Sequence, residues 1–131
     1  VDDARIVAAG DASSPSGHPL RMSCQAAQPL GAQAANTVLS RIAGATPTPL
    51  NQAFVGQNVS LGRRRATIQL AKFDDTPTRF VVAGRAGAAI KEAVCRGTVW
   101  AIRLEARRPG TYTWLRGGNR AAVPNADTVV R

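Results

Sequence analysis

Asp11 is the residue that the sequence places most favourably for binding a ligand. It directly follows Gly10 and the short apolar run over residues 6–9. Such an apolar run is typical of a strand buried on both faces, and glycine lets another group approach the backbone closely. Because open α/β sheets bind ligands at the carboxyl ends of their strands, we expect Asp11 to reach a ligand there. An ordinary strand followed by an aspartate turn has the same pattern.

A long amphipathic segment follows Asp11. From Leu20 to Ala43 apolar residues recur at three- and four-residue spacing, and Gly44 comes next. This periodicity predicts a helix over residues 20–43, with Gly44 as its C-terminal stop. A polar stretch over residues 12–17 separates the predicted helix from Asp11.

The apolar run over residues 6–9, together with Gly10 and Asp11, resembles the second flavin-binding signature of the pyridine nucleotide-disulfide oxidoreductase superfamily. That signature is an apolar strand followed by Ala-x-Gly-Asp. In that superfamily the aspartate accepts a hydrogen bond from the ribityl chain of FAD. The resemblance therefore implies this role for Asp11, with Gly10 allowing close approach. It also implies that the next helix directs its first turn at the flavin, which would bring the backbone of Cys24 and Gln25 to the pyrimidine edge. The positive end of a helix dipole would stabilise negative charge there.

Residues 24–29 resemble a motif of the type II NADH dehydrogenases, which are single-subunit quinone reductases of this superfamily. The family has Ala-Gln with a second Gln four residues on, whereas this chain reads Cys-Gln-Ala-Ala-Gln-Pro. Gln25 matches the first glutamine, so the resemblance implies that it borders the electron-acceptor site. Pro29 stands where the second glutamine is expected, which leaves quinone or another acceptor open. A proline there also predicts a kink in the helix.

The resemblance extends to about residue 108 and includes the pattern Gly56-x-x-x-Ser60-Leu61-Gly62-Arg63. It implies an α+β fragment. Residues 1–44 would be the closing strand and helix of a Rossmann-type FAD-binding domain, and residues 45–52 a Pro-rich linker. Residues 53–115 would form a small C-terminal domain with strands near 54–60, 66–72 and 79–83 and a helix over 86–108. The composition of residues 116–131 predicts a disordered tail.

The chain contains no Gly-x-Gly-x-x-Gly, the turn that binds a dinucleotide pyrophosphate. We therefore expect a C-terminal piece of a larger flavoprotein, inactive alone and without a catalytic residue of its own. Its cofactor would be FAD, its co-substrate NADH, and its first partner the remainder of the parent enzyme. The exposed edge of a strand over residues 6–9 could also pair with a second copy and give a homodimer.

The net charge is +9 in 131 residues, and all basic residues except Lys72 and Lys91 are arginines. This charge favours anionic lipid or nucleic acid as partners, although a solvated basic surface has the same composition. Aromatic residues do not interleave with the arginines, which disfavours nucleic acid. The segment 86–108 is basic and amphipathic and contains Trp100. It predicts either packing on the small sheet or binding to a membrane surface. The expected location is cytoplasmic, or peripheral on the inner face of the membrane.

Other residue types give no reactive or metal-binding pattern. Cys24 and Cys95 are 71 positions apart along the chain and His18 is the single histidine, so we expect neither a dithiol site nor a metal. We expect His18 to be a loop residue. The alternative to the flavoprotein hypothesis is a free-standing basic module that binds anionic membrane surfaces or nucleic acid.

Overall fold

The computed structural model describes residues 3, 5–13 and 20–117. Within these residues the fold is α+β, with two α-helices and a three-stranded antiparallel sheet, which confirms the predicted class. The chain divides into two compact units between Gln52 and Ala53. The loop predicted around His18 and the tail beyond residue 117 lie outside the described residues.

The first unit contains helix α1, Cys24–Ile42, within the predicted range 20–43. It begins at Cys24 because Ser23 is its N-cap: the Ser23 hydroxyl accepts a hydrogen bond from the Ala26 N–H at 3.3 Å. At the other end, the Gly44 N–H donates to the Arg41 carbonyl and the Ala45 N–H to the Ser40 carbonyl. These two bonds form a Schellman motif, so the predicted stop at Gly44 is confirmed.

The strand predicted over residues 6–9 is not present in this structure. Ala9 is extended, with φ −133° and ψ 152°, but these residues pair with no strand in the described part of the chain. A strand needs a neighbour to accept and donate its ladder hydrogen bonds, and the described residues of the first unit include none. The prediction of a strand here was therefore wrong for the chain by itself. Pairing of a second copy at this segment stays a prediction.

The second unit contains the sheet, with strands β1, Gly56–Ser60, β2, Ala66–Ala71, and β3, Pro77–Ala83, in the order β1-β2-β3. Asn58 pairs with Ile68, and Ile68 pairs with Val82. The three predicted strands are confirmed. Pro77 is the first residue of an edge strand, a position where its missing N–H leaves no ladder bond unmade.

Helix α2, Gly84–Arg107, follows β3 directly and packs against the sheet. The helix lies close to the sheet at Gly87, since a Cβ atom there would lie 2.6 Å from the carbonyl oxygen of Ala66. Further along, the Lys91 ammonium donates a hydrogen bond to the Asn58 carbonyl at 3.2 Å. Buried residues of this unit are Ala53, Phe54, Ala66, Ile68 and Gly87. The predicted packing of this helix on the sheet is therefore observed in its N-terminal half.

The C-terminal half of α2 remains largely uncovered. Trp100 is 66% exposed, Ile102 53% and Val99 47%. Among the described residues, neither helix is long and apolar enough to cross a membrane.

Candidate functional site

The structure brings the predicted flavin-site residues Gly10 and Asp11 to the start of α1, where Cys24 and Gln25 lie. Asp11 Oδ1 accepts a hydrogen bond from the backbone N–H of Ser23, at 3.2 Å, one residue before the helix. Asp11 is exposed, and no partner of its Oδ2 is found among the described residues. One carboxylate oxygen therefore fixes the turn to the helix, and the other is available to a ligand.

Gly10 sets the geometry of the Asp11 turn. Residues Gly10–Ala12 form a 3₁₀ turn, in which both the N–H and the hydroxyl of Ser13 donate to the Gly10 carbonyl. Gly10 has φ +65°, a left-handed conformation that glycine adopts without strain. A Cβ atom at Gly10 would lie 3.8 Å from the Cβ of Ala27, an ordinary contact. Backbone conformation, rather than crowding, therefore favours glycine here.

The first turn of α1 has hydrogen-bond donors that lack an acceptor among the described residues. The N–H groups of Ala26 and Ala27 donate to the carbonyl of Ser23. Those of Cys24 and Gln25 have no acceptor in the described part of the chain, as expected for the first residues of a helix. Cys24 is exposed. Gln25 is partly buried, and its Oε1 contacts Arg21 Nη2 at 3.5 Å. This helix start can therefore donate hydrogen bonds to a negatively polarised oxygen.

A buried glutamine, Gln52, supports the same turn and was missed by the sequence reasoning. Pro29 has no N–H, so it cannot bond to the Gln25 carbonyl four residues earlier. The Gln52 side-chain amide donates to that carbonyl instead. Helix α1 continues through Pro29, and the kink predicted there stays a prediction. A proline inside a predicted helix was the signal that could have prompted a search for a substitute donor.

Gln52 is 5% exposed and lies in the same unit as α1. Its Oε1 is buried and has no hydrogen-bond partner among the described residues. The nearby linker is also held to the helix, because Gln33 Nε2 donates to the Thr48 carbonyl at 2.6 Å. The segment over residues 45–52, predicted as a linker, is therefore hydrogen-bonded to α1 through Thr48 and through Gln52.

The second unit has a basic cleft of about 960 Å³. The basic cleft is formed by the loop between β1 and β2 and by the N-terminal half of α2. Five basic side chains and one acidic side chain line it: Arg63, Arg64, Arg65, Arg85, Lys91 and Glu92. The arginine triplet 63–65 is consecutive in the sequence, whereas Arg85 and Lys91 reach the same cleft only through the fold.

A smaller cavity of about 380 Å³ lies further along α2. Val99 and Trp100 line it together with Arg96 and Arg103. These residues belong to segment 86–108, for which membrane binding was one of the two predictions. Apolar and aromatic groups flanked by cations are typical of helices that lie in a membrane interface.

In the described part of the chain, no group of three histidine, cysteine or acidic side chains could hold a metal ion. Comparisons with protein-family models, with curated proteins and with solved structures find no match to this chain. Functional proposals therefore rest on its own residues and on the motifs that they form.

Proposed function

We propose that this chain is the C-terminal part of a flavoprotein oxidoreductase that passes electrons from NAD(P)H through FAD to a quinone or another acceptor. The observation that carries the proposal is the pairing of Asp11 with the start of α1. The motif resemblance names the same residues, Gly10, Asp11, Cys24 and Gln25, as the flavin contacts. The contact between Asp11 and Ser23, twelve positions later in the sequence, supports this proposal.

The residues at the start of α1 fit the chemistry of FAD. The free carboxylate oxygen of Asp11 can accept a hydrogen bond from a ribityl hydroxyl. The unpaired N–H groups of Cys24 and Gln25 can donate to a carbonyl oxygen at the pyrimidine edge. Bound FAD would supply hydride and electron transfer. The positive end of α1 would stabilise the negative charge of its reduced form, and Gln25 would border the acceptor.

Other parts of a flavin domain must come from the remainder of the parent protein. The chain has no glycine-rich turn for the pyrophosphate of FAD or of NADH. Several apolar side chains of the first unit are also uncovered, with Met22 80%, Ile42 78% and Leu39 64% exposed. A surrounding sheet and its helices would bury these groups, and would give residues 6–9 a strand to pair with.

The test is to capture the natural protein from its cells with an antibody against this chain, and to record its intact mass and visible absorption. The proposal predicts a yellow protein about three times the mass of this chain, since two nucleotide-binding domains are needed beside it. A colourless protein of 13.7 kDa would contradict the proposal and leave the free-standing basic module.

Peripheral binding to an anionic membrane through α2 is the second candidate function. The observation that favours it is the exposed Trp100, which lies beside Val99 between Arg96 and Arg103. We expect the chain to co-sediment with phosphatidylglycerol vesicles and Trp100→Ser to weaken that binding. Phe80→Ser is the matched control, because Phe80 is similarly exposed, at 62%, but lies on β3. Equal loss in both variants would contradict docking through α2.

A further inference from the structure

The basic cleft holds positive charge that the described residues do not neutralise. In the described part of the chain, the guanidinium groups of Arg63, Arg64, Arg65 and Arg85 have no hydrogen-bond or ion-pair partner. Glu92, the one acidic lining residue, pairs with Arg96 Nε at 2.8 Å, so its charge is shared with a cation that does not line the cleft. Like charges gathered without partners repel, and a bound anion would relieve that repulsion.

Helix α2 adds to this positive field. Its N-cap residue, Ala83, provides no side-chain acceptor, and its first turn contains no acidic residue. No acidic side chain of the first turn therefore offsets the positive end of the helix dipole. Arg85 and Ala88, which belong to the first turns of α2, line the cleft. The helix start and the arginine loop thus act on the same space.

The residues that line the basic cleft favour one class of anion, phosphate, over others. Guanidinium groups bind phosphate oxygens in pairs, which makes arginine the preferred residue for phosphate recognition. The cleft residues include no aromatic side chain on which a nucleic-acid base could stack. The volume, about 960 Å³, lies at the upper end of the range of about 300–1,000 Å³ for small-molecule sites. Phosphate groups on a soluble molecule therefore match the cleft better than a strand of bases.

We propose that the basic cleft is a binding site for a soluble ligand that carries two or more linked phosphates. Arg64, Arg65 and Arg85 contact the phosphate oxygens, and Lys91 contributes charge from α2 while it remains bonded to Asn58. This site belongs to the second unit and does not depend on the flavin proposal. It also differs from the membrane candidate, which uses the C-terminal half of α2.

The experiment is isothermal titration calorimetry of the full chain with inorganic tripolyphosphate, at low and at physiological salt. We expect saturable binding to one site per chain that weakens as salt is added. Arg64→Gln combined with Arg65→Gln should weaken binding about tenfold or more, since each bond to a charged group contributes at about that scale. Arg85→Gln should weaken it about tenfold from the other side of the cleft.

Arg107→Gln combined with Arg108→Gln is the matched control, because it removes the same charge from α2 and its end without touching the cleft. Circular dichroism of each variant checks that the chain stays folded. Equal weakening in the control, or no saturable binding, would overturn the proposal. It would also be overturned if the cleft variants lost binding to phosphatidylglycerol vesicles or to a single-stranded oligonucleotide while tripolyphosphate affinity stayed unchanged.

Discussion

At the scale of single residues, the two carboxylate oxygens of Asp11 differ in their hydrogen bonding among the described residues. Oδ1 holds the Ser23 N–H and so fixes the turn against α1, while Oδ2 remains available. A ligand that bonds to Oδ2 would therefore meet a group that is already fixed in place. Preorganisation of this kind lowers the entropic cost of binding.

Asp11→Ala in the flavoprotein is expected to weaken FAD binding about tenfold, because a hydrogen bond to a charged group is lost and the turn loosens. Asp11→Asn keeps one acceptor oxygen and should retain more flavin. Flavin content per polypeptide, read from the visible spectrum, measures both. Asp3→Ala is the control, since Asp3 pairs with Arg5 outside the site. Unchanged flavin content in Asp11→Ala would rule out this role.

Gln52 and Pro29 should be energetically coupled. Gln52→Leu leaves the Gln25 carbonyl without its donor, and we expect a loss of about 1–2 kcal/mol in the free energy of unfolding. In a Pro29→Ala background the restored N–H can bond to that carbonyl, so the same substitution should cost much less. Urea denaturation of the four variants gives the coupling directly. An equal cost of Gln52→Leu in both backgrounds would show that Gln52 does not replace the missing bond.

At the scale of secondary structure, the contact of α2 with the sheet depends on one small residue. A Cβ atom at Gly87 would lie 2.6 Å from the Ala66 carbonyl oxygen and 3.1 Å from that of Val82. Both neighbours are backbone atoms of the sheet, so they cannot move aside as a flexible side chain could. A methyl group would therefore push the helix away from β2 and β3.

Gly87→Ala is expected to lower the free energy of unfolding by about 1–3 kcal/mol, as overpacking does elsewhere. Gly97→Ala is a matched substitution in the same helix, where an added Cβ meets nothing within 4 Å. There the better helix propensity of alanine should raise stability by about 0.5–1 kcal/mol. Thermal melts followed by circular dichroism compare the two variants. Similar effects in both would contradict the close packing at Gly87.

Glu105 connects the end of α2 to the segment after it. Its carboxylate accepts hydrogen bonds from the N–H groups of Gly110 and Tyr112, both at 2.7 Å, and from the Thr111 hydroxyl at 3.0 Å. These bonds, that of Gly110 foremost, lower the pKa of Glu105 below its ordinary value of 4.5. A carboxylate whose pKa is lower in the folded state stabilises the fold above pH 4.5 and loses that effect as the pH falls through the lowered value.

Glu105→Gln should therefore reduce stability more at pH 7 than at pH 3, because the stabilisation by the carboxylate declines once the pH is below the ordinary pKa of 4.5. Urea midpoints at the two pH values measure the difference. A destabilisation of equal size at both would show that the charge of Glu105 does not contribute.

At the scale of the whole molecule, the net charge of +9 attracts many anions and so identifies none. Two surfaces arrange part of that charge so that each favours a different anionic partner. The basic cleft offers unpaired guanidinium groups in a concave space, whereas the C-terminal half of α2 offers cations beside exposed apolar groups. Salt weakens binding at both, since the screening length is about 8 Å at physiological ionic strength. The matched variants, rather than salt dependence, therefore distinguish the two partners.

The sequence alone predicted both long helices, because their signals are local, and the ranges of the three strands came from the motif resemblance. The spacing of apolar residues and the glycine after Ala43 depend only on nearby positions, and the structure confirms them at α1 and in the sheet. The prediction of a strand over residues 6–9 was wrong because it depended on a distant partner. An apolar run forms a strand only where another strand can pair with it. The identity of the flavin-site residues came from motif resemblance and stays a prediction.

Tertiary structure alone decided three contacts. Asp11 approaches Ser23, and Gln52 donates a hydrogen bond to the Gln25 carbonyl. Arg85 and the triplet 63–65 line the same cleft. Each contact joins groups far apart in sequence. No local pattern specifies which distant side chain donates to a carbonyl that lacks its helical hydrogen bond, or which side chains line one cleft. The sequence therefore determined the two long helices and which residues carry charge, but not whether residues 6–9 form a strand. The folded chain decided which of those charges and donors act together, because only packing brings distant residues within bonding distance.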